Sequence, residues 1–188
     1  MKYVKKLVGE NIYLSPANPE DFEIFTIWLN DFETTDYIGR SPIITSFSSE
    51  KEFLEKTKNE ECFFSIVDLK EDKLIGSISL NGIDHISRTA TLGIFIGDRD
   101  YRSKGYGTEA IKLLLDYGFS YLNLNNIDLH VFSFNERAIK CYEKCGFKVY
   151  GKRTNAKFVD GKYYDIISME VLAENFKESY ITNKNIWL

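Results

Sequence analysis

Residues 102–108, with the sequence Arg-Ser-Lys-Gly-Tyr-Gly-Thr, have the composition of a loop that binds phosphate. They follow an apolar run over residues 92–96 that predicts a strand, and they precede residues 109–122, whose apolar side chains recur at the spacing of one buried helix face. A turn that enters a helix exposes backbone N–H groups without internal partners, and these donors and the helix dipole favour an anion. Because Gly105 and Gly107 let a ligand come close to the backbone, the loop predicts a phosphate or pyrophosphate site.

The loop also carries two basic side chains, Arg102 and Lys104, that could add charge to the same phosphates. An ordinary strand-to-helix turn is an equally good interpretation of the two glycines alone. The spacing does exclude two nucleotide-binding motifs. The loop lacks the Gly-x-x-x-x-Gly-Lys-Ser/Thr pattern of a nucleoside triphosphate loop, and Glu109 and Ala110 stand where a dinucleotide motif needs its third glycine.

The composition predicts one folded domain over residues 1–188. Hydrophobic residues make up 44% of the chain, which includes 14 Phe and 12 Tyr, enough for a substantial core. A net charge of −4 disfavours nucleic acid and suits a cationic or amine substrate. No apolar run reaches the roughly 18–20 residues that span a membrane, and no signal-peptide core stands at the N-terminus. We therefore expect a cytoplasmic monomer or homodimer with no nucleic-acid or membrane partner.

Three cysteines, Cys62, Cys141 and Cys145, are typical of reduced thiols in a cytoplasmic protein. Cys141 and Cys145 are one turn apart in a predicted helix, a spacing at which two thiolates could hold a metal. The two histidines, His85 and His130, show no recognisable ligand spacing relative to that pair. We therefore expect no metal site.

The predicted order of elements is strand, two helices, three antiparallel strands, helix, strand, helix and hairpin. They fall near residues 7–15, 19–30, 50–58, 62–69, 74–80, 89–96, 109–122, 127–132, 136–145, 147–153 and 163–171. The strand–helix–strand order after residue 89 implies a parallel crossover pair. Residues 31–46 predict an irregular segment, and residues 33–47 are either a substrate-facing loop or a solvated connector. Residues 174–188 are a polar tail or a short helix.

Two segments of the chain resemble the GNAT N-acetyltransferases. Residues 94–110 contain I-F-I-G-D followed by Y-R-x-x-G-x-G-T-E-A, and residues 135–147 contain N-x-x-A-x-x-x-Y-E-K-x-G-F. Within that family, the opening L-x-G-E-x-I-x-L of residues 7–14 resembles the ribosomal-protein-alanine and spermidine/diamine N-acetyltransferases. The resemblance implies the α/β (α+β) GNAT fold, with a mixed, mostly antiparallel sheet, a splayed parallel strand pair and flanking helices.

The resemblance also implies acetyl-CoA as the cosubstrate and assigns the residues that bind it. Backbone groups of Phe95 and Ile96 would pair with the pantetheine arm, Asn135 and Ala138 would line its path, and Tyr142 would lie near the thioester sulfur. Arg102 would lie near the pyrophosphate. The pyrophosphate itself would be held by the backbone amides of these loop residues: Lys104, Gly105, Tyr106, Gly107 and Thr108. A tyrosine on the apolar side of a helix is also typical of a core residue.

The implied reaction is the attack of a neutral amine on a thioester. At pH 7 an α-amine of pKa about 8 costs about 1.4 kcal/mol to deprotonate, and a lysine-like amine costs about 4.6 kcal/mol. Some family members carry a glutamate base on the fourth strand, where this chain has Thr91. We expect Asp84, or a water that it polarises, to replace that base, although turn aspartates typically bond their own backbone and His85 is typical of a solvated turn. The Tyr142 hydroxyl would protonate the leaving thiolate, and a backbone N–H would stabilise the oxyanion.

The sequence therefore predicts an acetyl-CoA-dependent N-acetyltransferase that acts on a primary amine by direct attack in a ternary complex. The acceptor stays open between a protein N-terminus, a polyamine and a small-molecule amine. A non-catalytic CoA-binding sensor is the alternative function. A nucleotide-binding protein is disfavoured, because the loop lacks the lysine–serine signature of a triphosphate site.

Overall fold

The computed structural model describes residues 2–57, 62–177 and 179–182. Within these residues eight strands form one mixed sheet, flanked by five α-helices. The strands are β1 Leu7–Val8, β2 Ile12–Pro16, β3 Phe63–Asp68, β4 Leu74–Asp84, β5 Thr89–Ile96, β6 Asn126–Phe132, β7 Lys148–Val159 and β8 Lys162–Leu172. The helices are α1 Phe22–Leu29, α2 Phe32–Ile38, α3 Phe47–Thr57, α4 Tyr106–Ser120 and α5 Glu136–Lys144.

The sheet has the strand order β1-β2-β3-β4-β5-β6-β8-β7. Neighbouring strands are antiparallel except β5 and β6, which are parallel and joined through α4. The predicted crossover pair and the mixed, mostly antiparallel sheet are therefore confirmed. The β5–β6 pairing covers three residues on each strand and ends at Thr91 and Asp128.

The helices pack on opposite faces of this sheet. Ile12 and Leu14 of β2 belong to one apolar cluster with Leu114 of α4, whereas Tyr13 belongs to a second cluster with Phe25 of α1. Because successive residues of a strand point to opposite faces, the two clusters lie on the two sides of the sheet. A cavity that passes between two strands can therefore be reached from the α4 side or from the α1–α3 side.

Two sequence predictions about the helices were wrong. Residues 31–46 contain helix α2, which Asp31 caps by accepting a hydrogen bond from the Glu33 amide and which Gly39 ends with φ +74°. These capping and stop residues are ordinary helix signals, but a helix of seven residues is too short for its apolar spacing to reveal it in the sequence. Helix α3 begins three residues earlier than predicted, at Phe47, and residue 58 lies outside the described residues.

The first turn of α4 is tied to the β1–β2 turn through Glu109. Its Oε1 accepts hydrogen bonds from the amides of Asn11 (2.8 Å) and Ile12 (3.3 Å), and its Oε2 accepts one from Asn11 Nδ2 (3.0 Å). A Cβ at Gly9 would lie 2.3 Å from Glu109 Oε1, so a side chain there would displace the carboxylate from these hydrogen bonds. This contact explains physically why Gly9 stands in the opening motif.

The C-terminal segment packs along α4. After a 3-10 turn at Ala173–Asn175, residues 179–182 meet the carboxylate of Asp116, which is 1% exposed. Its Oδ2 accepts hydrogen bonds from the amides of Tyr180 (2.7 Å) and Ile181 (3.1 Å). This part of the predicted tail is therefore docked, and residues 183–188 lie outside the described residues. No helix in the described part of the chain is long and apolar enough to cross a membrane.

We predict that Asp116→Asn lowers the free energy of unfolding by about 2 kcal/mol, because Oδ1 also accepts a hydrogen bond from Ser120 Oγ (3.0 Å) and an amide cannot replace both carboxylate oxygens as acceptors. Denaturant titration measures this, and amide hydrogen exchange at Tyr180 and Ile181 should quicken. Asp160→Asn is the control, since Asp160 lies in a hairpin turn at φ +45°, a conformation that Asn also adopts readily. Equal stability of the two variants would contradict the prediction.

Candidate active site

The central feature of the site is the gap between β5 and β6. After Thr91 and Asp128 the two strands no longer pair: β5 stays on β4 as far as Ile96, and β6 stays on β8 as far as Phe132. A cavity of about 530 Å³ opens there. Its lining combines α2, both strands, the start of α4 and one side of α5, and includes these predicted site residues: Phe95, Ile96, Arg102, Gly105, Gly107, Thr108, Asn135, Ala138 and Tyr142.

The end of β5 is anchored by Arg102. Its Nε donates to the carbonyl of Ile96 (3.0 Å), and its Nη2 donates to the carbonyl of Gly97 (2.9 Å) and to Thr34 Oγ1 (2.7 Å). The guanidinium is therefore engaged with the end of β5 and with α2. The sequence suggested phosphate as its partner, and the geometry gives it an additional role as an anchor.

An aromatic cluster supports the same strand end from the α1 side. A Cβ at Gly97 would lie 2.1 Å from the indole ring of Trp28, so this position accepts only glycine. The Trp28 ring contacts the rings of Phe95 and Phe25, with centroids 6.2 and 5.5 Å away in edge-on geometry. The apolar packing and the Arg102 bonds thus hold β5 on the same path.

The start of α4 presents backbone donors to the cavity. The helix begins at Tyr106, so the last three residues of the predicted loop form its first turn, and the N-cap residue Gly105 has φ +93°. A Cβ at Gly105 would have no neighbour within 4 Å, and one at Gly107 would meet only Ile96 Cγ1 at 3.9 Å. The first-turn N–H groups have no partner within a helix, so this open end suits an anion.

Two predicted loop residues have side chains elsewhere. Lys104 and Tyr106 are not among the residues that line this cavity and instead line a second one of about 680 Å³, beside Glu71 and Asp100. The Tyr106 ring packs against Tyr101 with centroids 5.1 Å apart. Their backbone amides remain part of the loop, but their side chains belong to a different surface.

Helix α5 supplies the wall opposite α4. Asn135 caps it by accepting a hydrogen bond from the Ala138 amide (3.2 Å), and Ala138 and Tyr142 face the cavity one turn apart. The Tyr142 ring contacts Phe147, with centroids 5.9 Å apart. Burial raises the pKa of Tyr142 above its usual value, and the thiols of Cys141 and Cys145 add to this effect. The phenol therefore keeps its proton at neutral pH.

Most of the chain matches one family of known proteins. Residues 11–148 match the family model described as an acetyltransferase (GNAT) domain. The chain belongs to the GNAT acetyltransferases. It is an N-acetyltransferase that uses acetyl-CoA to acetylate an amine, as the sequence predicted.

Individual relatives of this GNAT protein agree with that assignment. It is 36% identical to the spermidine N(1)-acetyltransferase of Vibrio cholerae over 118 residues, covering 63% of this chain and 67% of that one. It is 35% identical to the probable N-acetyltransferase YjcK of Bacillus subtilis over 159 residues, or 83% of each. The crystal structure of the V. cholerae spermidine N-acetyltransferase with CoA and spermine superimposes with a TM-score of 0.81 at 29% identity, covering 88% of this chain and 98% of that one.

Asp84, the predicted base of this GNAT enzyme, does not line the cavity. It ends β4 in an exposed turn, where its Oδ1 accepts hydrogen bonds from the amides of Ser87 (2.9 Å) and Ile86 (2.8 Å). These bonds lower the pKa of Asp84. The carboxylate is thus positioned to stabilise the turn, and it is a weak base.

The sequence considered His130 only as a metal ligand, but the structure places it in the cavity wall. Its Nδ1 lies 3.0 Å from Ser168 Oγ, and its Nε2 lies 3.9 Å from Asp128 Oδ2. His130 lies two residues before the end of β6, a strand that borders the gap. This position is the sequence signal that could have identified the residue. Glu33 and Tyr37 of α2 also line the cavity, which favours the substrate-facing interpretation of residues 33–47.

Cys141 and Cys145 tie α5 to the first turn of α4. Cys141 Sγ lies 3.1 Å from Thr108 Oγ1, and Cys145 Sγ donates to the Thr108 carbonyl at 3.7 Å. Hydrogen bonds from Cys145 and Thr108 lower the pKa of Cys141, aided by the nearby charge of Lys144. Within the ranges that the structure describes, no three His, Cys, Asp or Glu side chains form a metal-binding group.

We predict that Arg102→Gln lowers the free energy of unfolding by about 2 kcal/mol, because it removes charged hydrogen bonds to two carbonyls and a hydroxyl. If anchoring is the main role of Arg102, the salt dependence of the CoA Kd should be nearly unchanged, since salt screens exposed charge pairs most. Calorimetry at three salt concentrations and denaturant titration measure both quantities.

Arg137→Gln is the matched control, because Arg137 also lines the cavity and its guanidinium lies over the Tyr37 ring, 5.7 Å from the centroid. It should weaken the salt dependence with little change in stability. The reverse pattern, with a stable Arg102→Gln protein and a flatter salt dependence, would identify Arg102 as the phosphate ligand.

Proposed function

We propose that acetyl-CoA occupies the cavity with its pantetheine arm between β5 and β6 and its pyrophosphate at the start of α4. The observation that carries this proposal is that two unpaired strand edges and an open helix N-terminus border one cavity. Free edge groups can pair with the amides of the arm, as a further strand would. Arg137, Lys140 and Lys144 line the same cavity and supply charge for the phosphates. We further propose that residues 1–188 act as one domain, because a single sheet joins Leu7 to Leu172.

In the proposed reaction the amine nitrogen attacks the thioester carbon, and the C–S bond of the tetrahedral intermediate then breaks. The departing thiolate takes the proton of the Tyr142 hydroxyl. Two features of Tyr142 support this role: it lines the cavity, and its ring packs against Phe147.

The amine must lose one proton before attack and another afterwards. We propose His130 as the group that accepts a proton from the amine, directly or through water. Asp84 is outside the cavity, and Glu33 is ion-paired with Arg99 at 2.9 Å. A neutral imidazole carries one ring nitrogen that can accept a proton. Deprotonating an α-amine at pH 7 costs about 3 kcal/mol less than deprotonating a polyamine nitrogen.

The names of the relatives point to two classes of amine acceptor. Relatives include a spermidine N(1)-acetyltransferase at 36% identity and a putative ribosomal N-acetyltransferase of B. subtilis at 29% identity over 109 residues, or 58% of this chain. Similarity therefore supports both a polyamine and a protein N-terminus as the acceptor.

We predict that Tyr142→Phe lowers kcat by about 10²-fold, in line with the loss of a general acid, while acetyl-CoA affinity and Tm change little. The ring would still pack on Phe147, so the change removes only the hydroxyl. Steady-state kinetics, calorimetry and melting curves measure the three quantities. Tyr163→Phe is the control, since Tyr163 is an exposed hairpin residue that contacts Phe158.

Normal kcat in a folded Tyr142→Phe protein would exclude the acid role. A lower Tm with normal turnover would make Tyr142 a core residue, and weaker acetyl-CoA binding at unchanged kcat would make it a positioning residue. If the wild-type protein binds CoA but acetylates no amine in a panel of peptides, polyamines and monoamines, the sensor function replaces the enzymatic one.

A further inference from the structure

The acceptor must enter the gap from the face opposite α4 and α5, if acetyl-CoA takes their side. That face is bordered by α2, which contributes Tyr37 and Ile38, and by the end of β6, which contributes Phe132. Behind them the ring of Phe134 contacts those of Tyr37, Phe132 and Tyr164, with centroids 5.6, 5.7 and 4.6 Å away. The entrance on this face is therefore mostly aromatic.

A lysine from the β7–β8 hairpin reaches this entrance. Arg153 pairs with Ile166 and Lys157 pairs with Tyr164, so β7 has two extra residues between these pairs and bulges. Asn155 within the bulge has φ +50°, and its amide donates to Asp165 Oδ1 at 2.9 Å. Bulges beside sites commonly redirect one side chain, and here the redirected side chain is that of Lys157.

The Lys157 ammonium connects the two walls of the entrance. Its Nζ donates to the carbonyl of Gly39 at the end of α2 (2.9 Å) and lies over the Phe132 ring, 5.2 Å from the centroid. Gly39 has φ +74°, and a Cβ there would lie 2.8 Å from both Lys157 Nζ and Phe132 Cζ. A positive charge is therefore held in a defined position against a residue of the cavity wall.

The acidic groups around this entrance already have partners. Of the described residues that line the cavity, Glu33 alone carries a carboxylate, and it is ion-paired with Arg99. Asp36 accepts a hydrogen bond from Ser41, and Asp165 pairs with Lys152 at 3.0 Å. A second ammonium on the acceptor would therefore approach Lys157 with few unpaired carboxylates to compensate for the repulsion.

We propose that Lys157 determines acceptor specificity: its charge disfavours acceptors with a second ammonium and favours those with a carboxylate a few bonds from the reacting amine. This inference rests on the proposed function, because it concerns the acceptor half of the same cavity. It implies an acceptor class such as an amino acid or an acidic peptide N-terminus, and it sets this chain apart from its spermidine-acetylating relatives.

A matched set of acceptors tests the inference. Butane-1,4-diamine, butylamine and 4-aminobutanoate present the same primary amine with a distal ammonium, methyl or carboxylate group, and the hexane series extends the reach. For the wild-type protein we expect kcat/KM with the carboxylate acceptor to exceed that with the diamine by about ten-fold or more. The ratio of kcat/KM with the carboxylate acceptor to kcat/KM with the diamine should fall at least five-fold in Lys157→Gln, although the glutamine amide can still donate to Gly39. Lys157→Glu should invert this ratio.

Lys148→Gln is the control for lost charge on the same strand, because Lys148 lies at the other end of β7, opposite Glu170. This variant should keep the carboxylate-to-diamine ratio within two-fold of the wild-type value. A wild-type preference for the diamine, or a ratio that Lys157→Gln does not change in a folded protein, would overturn the inference while leaving acetyl transfer intact.

Failure of the proposed function gives a different result. Affinities of the same compounds for the CoA-saturated protein, measured by calorimetry, do not require turnover. If no amine is acetylated but the carboxylate compound still binds better in a Lys157-dependent way, the specificity inference stands and the catalytic proposal fails. If the CoA-saturated protein neither acetylates nor distinguishes the compounds, both fail.

Discussion

The structure depends on one constraint: β5 must stay with β4 after it has left β6. Three pairs of residues join β5 to β6, and beyond Thr91 each strand follows its other neighbour. Arg102 fixes the end of β5 by donating to the carbonyls of Ile96 and Gly97, and Trp28 covers Gly97 so closely that no side chain fits. These contacts add to the pairing with β4, and the gap that β5 leaves beside β6 forms the cavity.

The helices that follow the two strands turn this gap into a site. Gly105 starts α4 in a left-handed conformation, so the first-turn amides face the gap without a side chain in front of them. Asn135 starts α5 three residues after β6 ends, and its side chain accepts a hydrogen bond from the Ala138 amide. Cys141 and Cys145 then join α5 to Thr108 of α4, so the start of α4 and Tyr142 are held by one packed unit. Tyr142 depends on the gap although it lies on neither strand.

Sequence reasoning succeeded where local signals and tertiary structure agree. The glycines of residues 102–108, the strand–helix–strand order and the cap at Asn135 predicted the parallel pair and the helices beside it, and the family resemblance supplied the activity. It failed on α2, where Asp31 and Gly39 are local helix signals but Thr34 gains its stabilising partner, Arg102, from 68 residues away. A single-sequence pattern contains no information about such a distant contact.

The direction of individual side chains was the second feature that the sequence could not predict. Spacing alone could not show that Lys104 and Tyr106 face a second cavity or that Arg102 bonds backbone carbonyls. It could not show that the β7 bulge sends Lys157 across to Gly39, because a bulge is a matter of pairing register. The assignment of Asp84 as a base stays a prediction, and its position in an exposed turn makes His130 the better candidate.

Amide hydrogen exchange over residues 92–96 tests the central claim, that the β5–β6 gap receives the pantetheine arm. CoA should slow exchange in this segment by about ten-fold or more, because the arm pairs with its unbonded edge. Adenosine 3′,5′-bisphosphate, which lacks the arm, should leave the segment unchanged. Equal exchange at residues 92–96 in the free and the CoA-saturated protein would contradict the account.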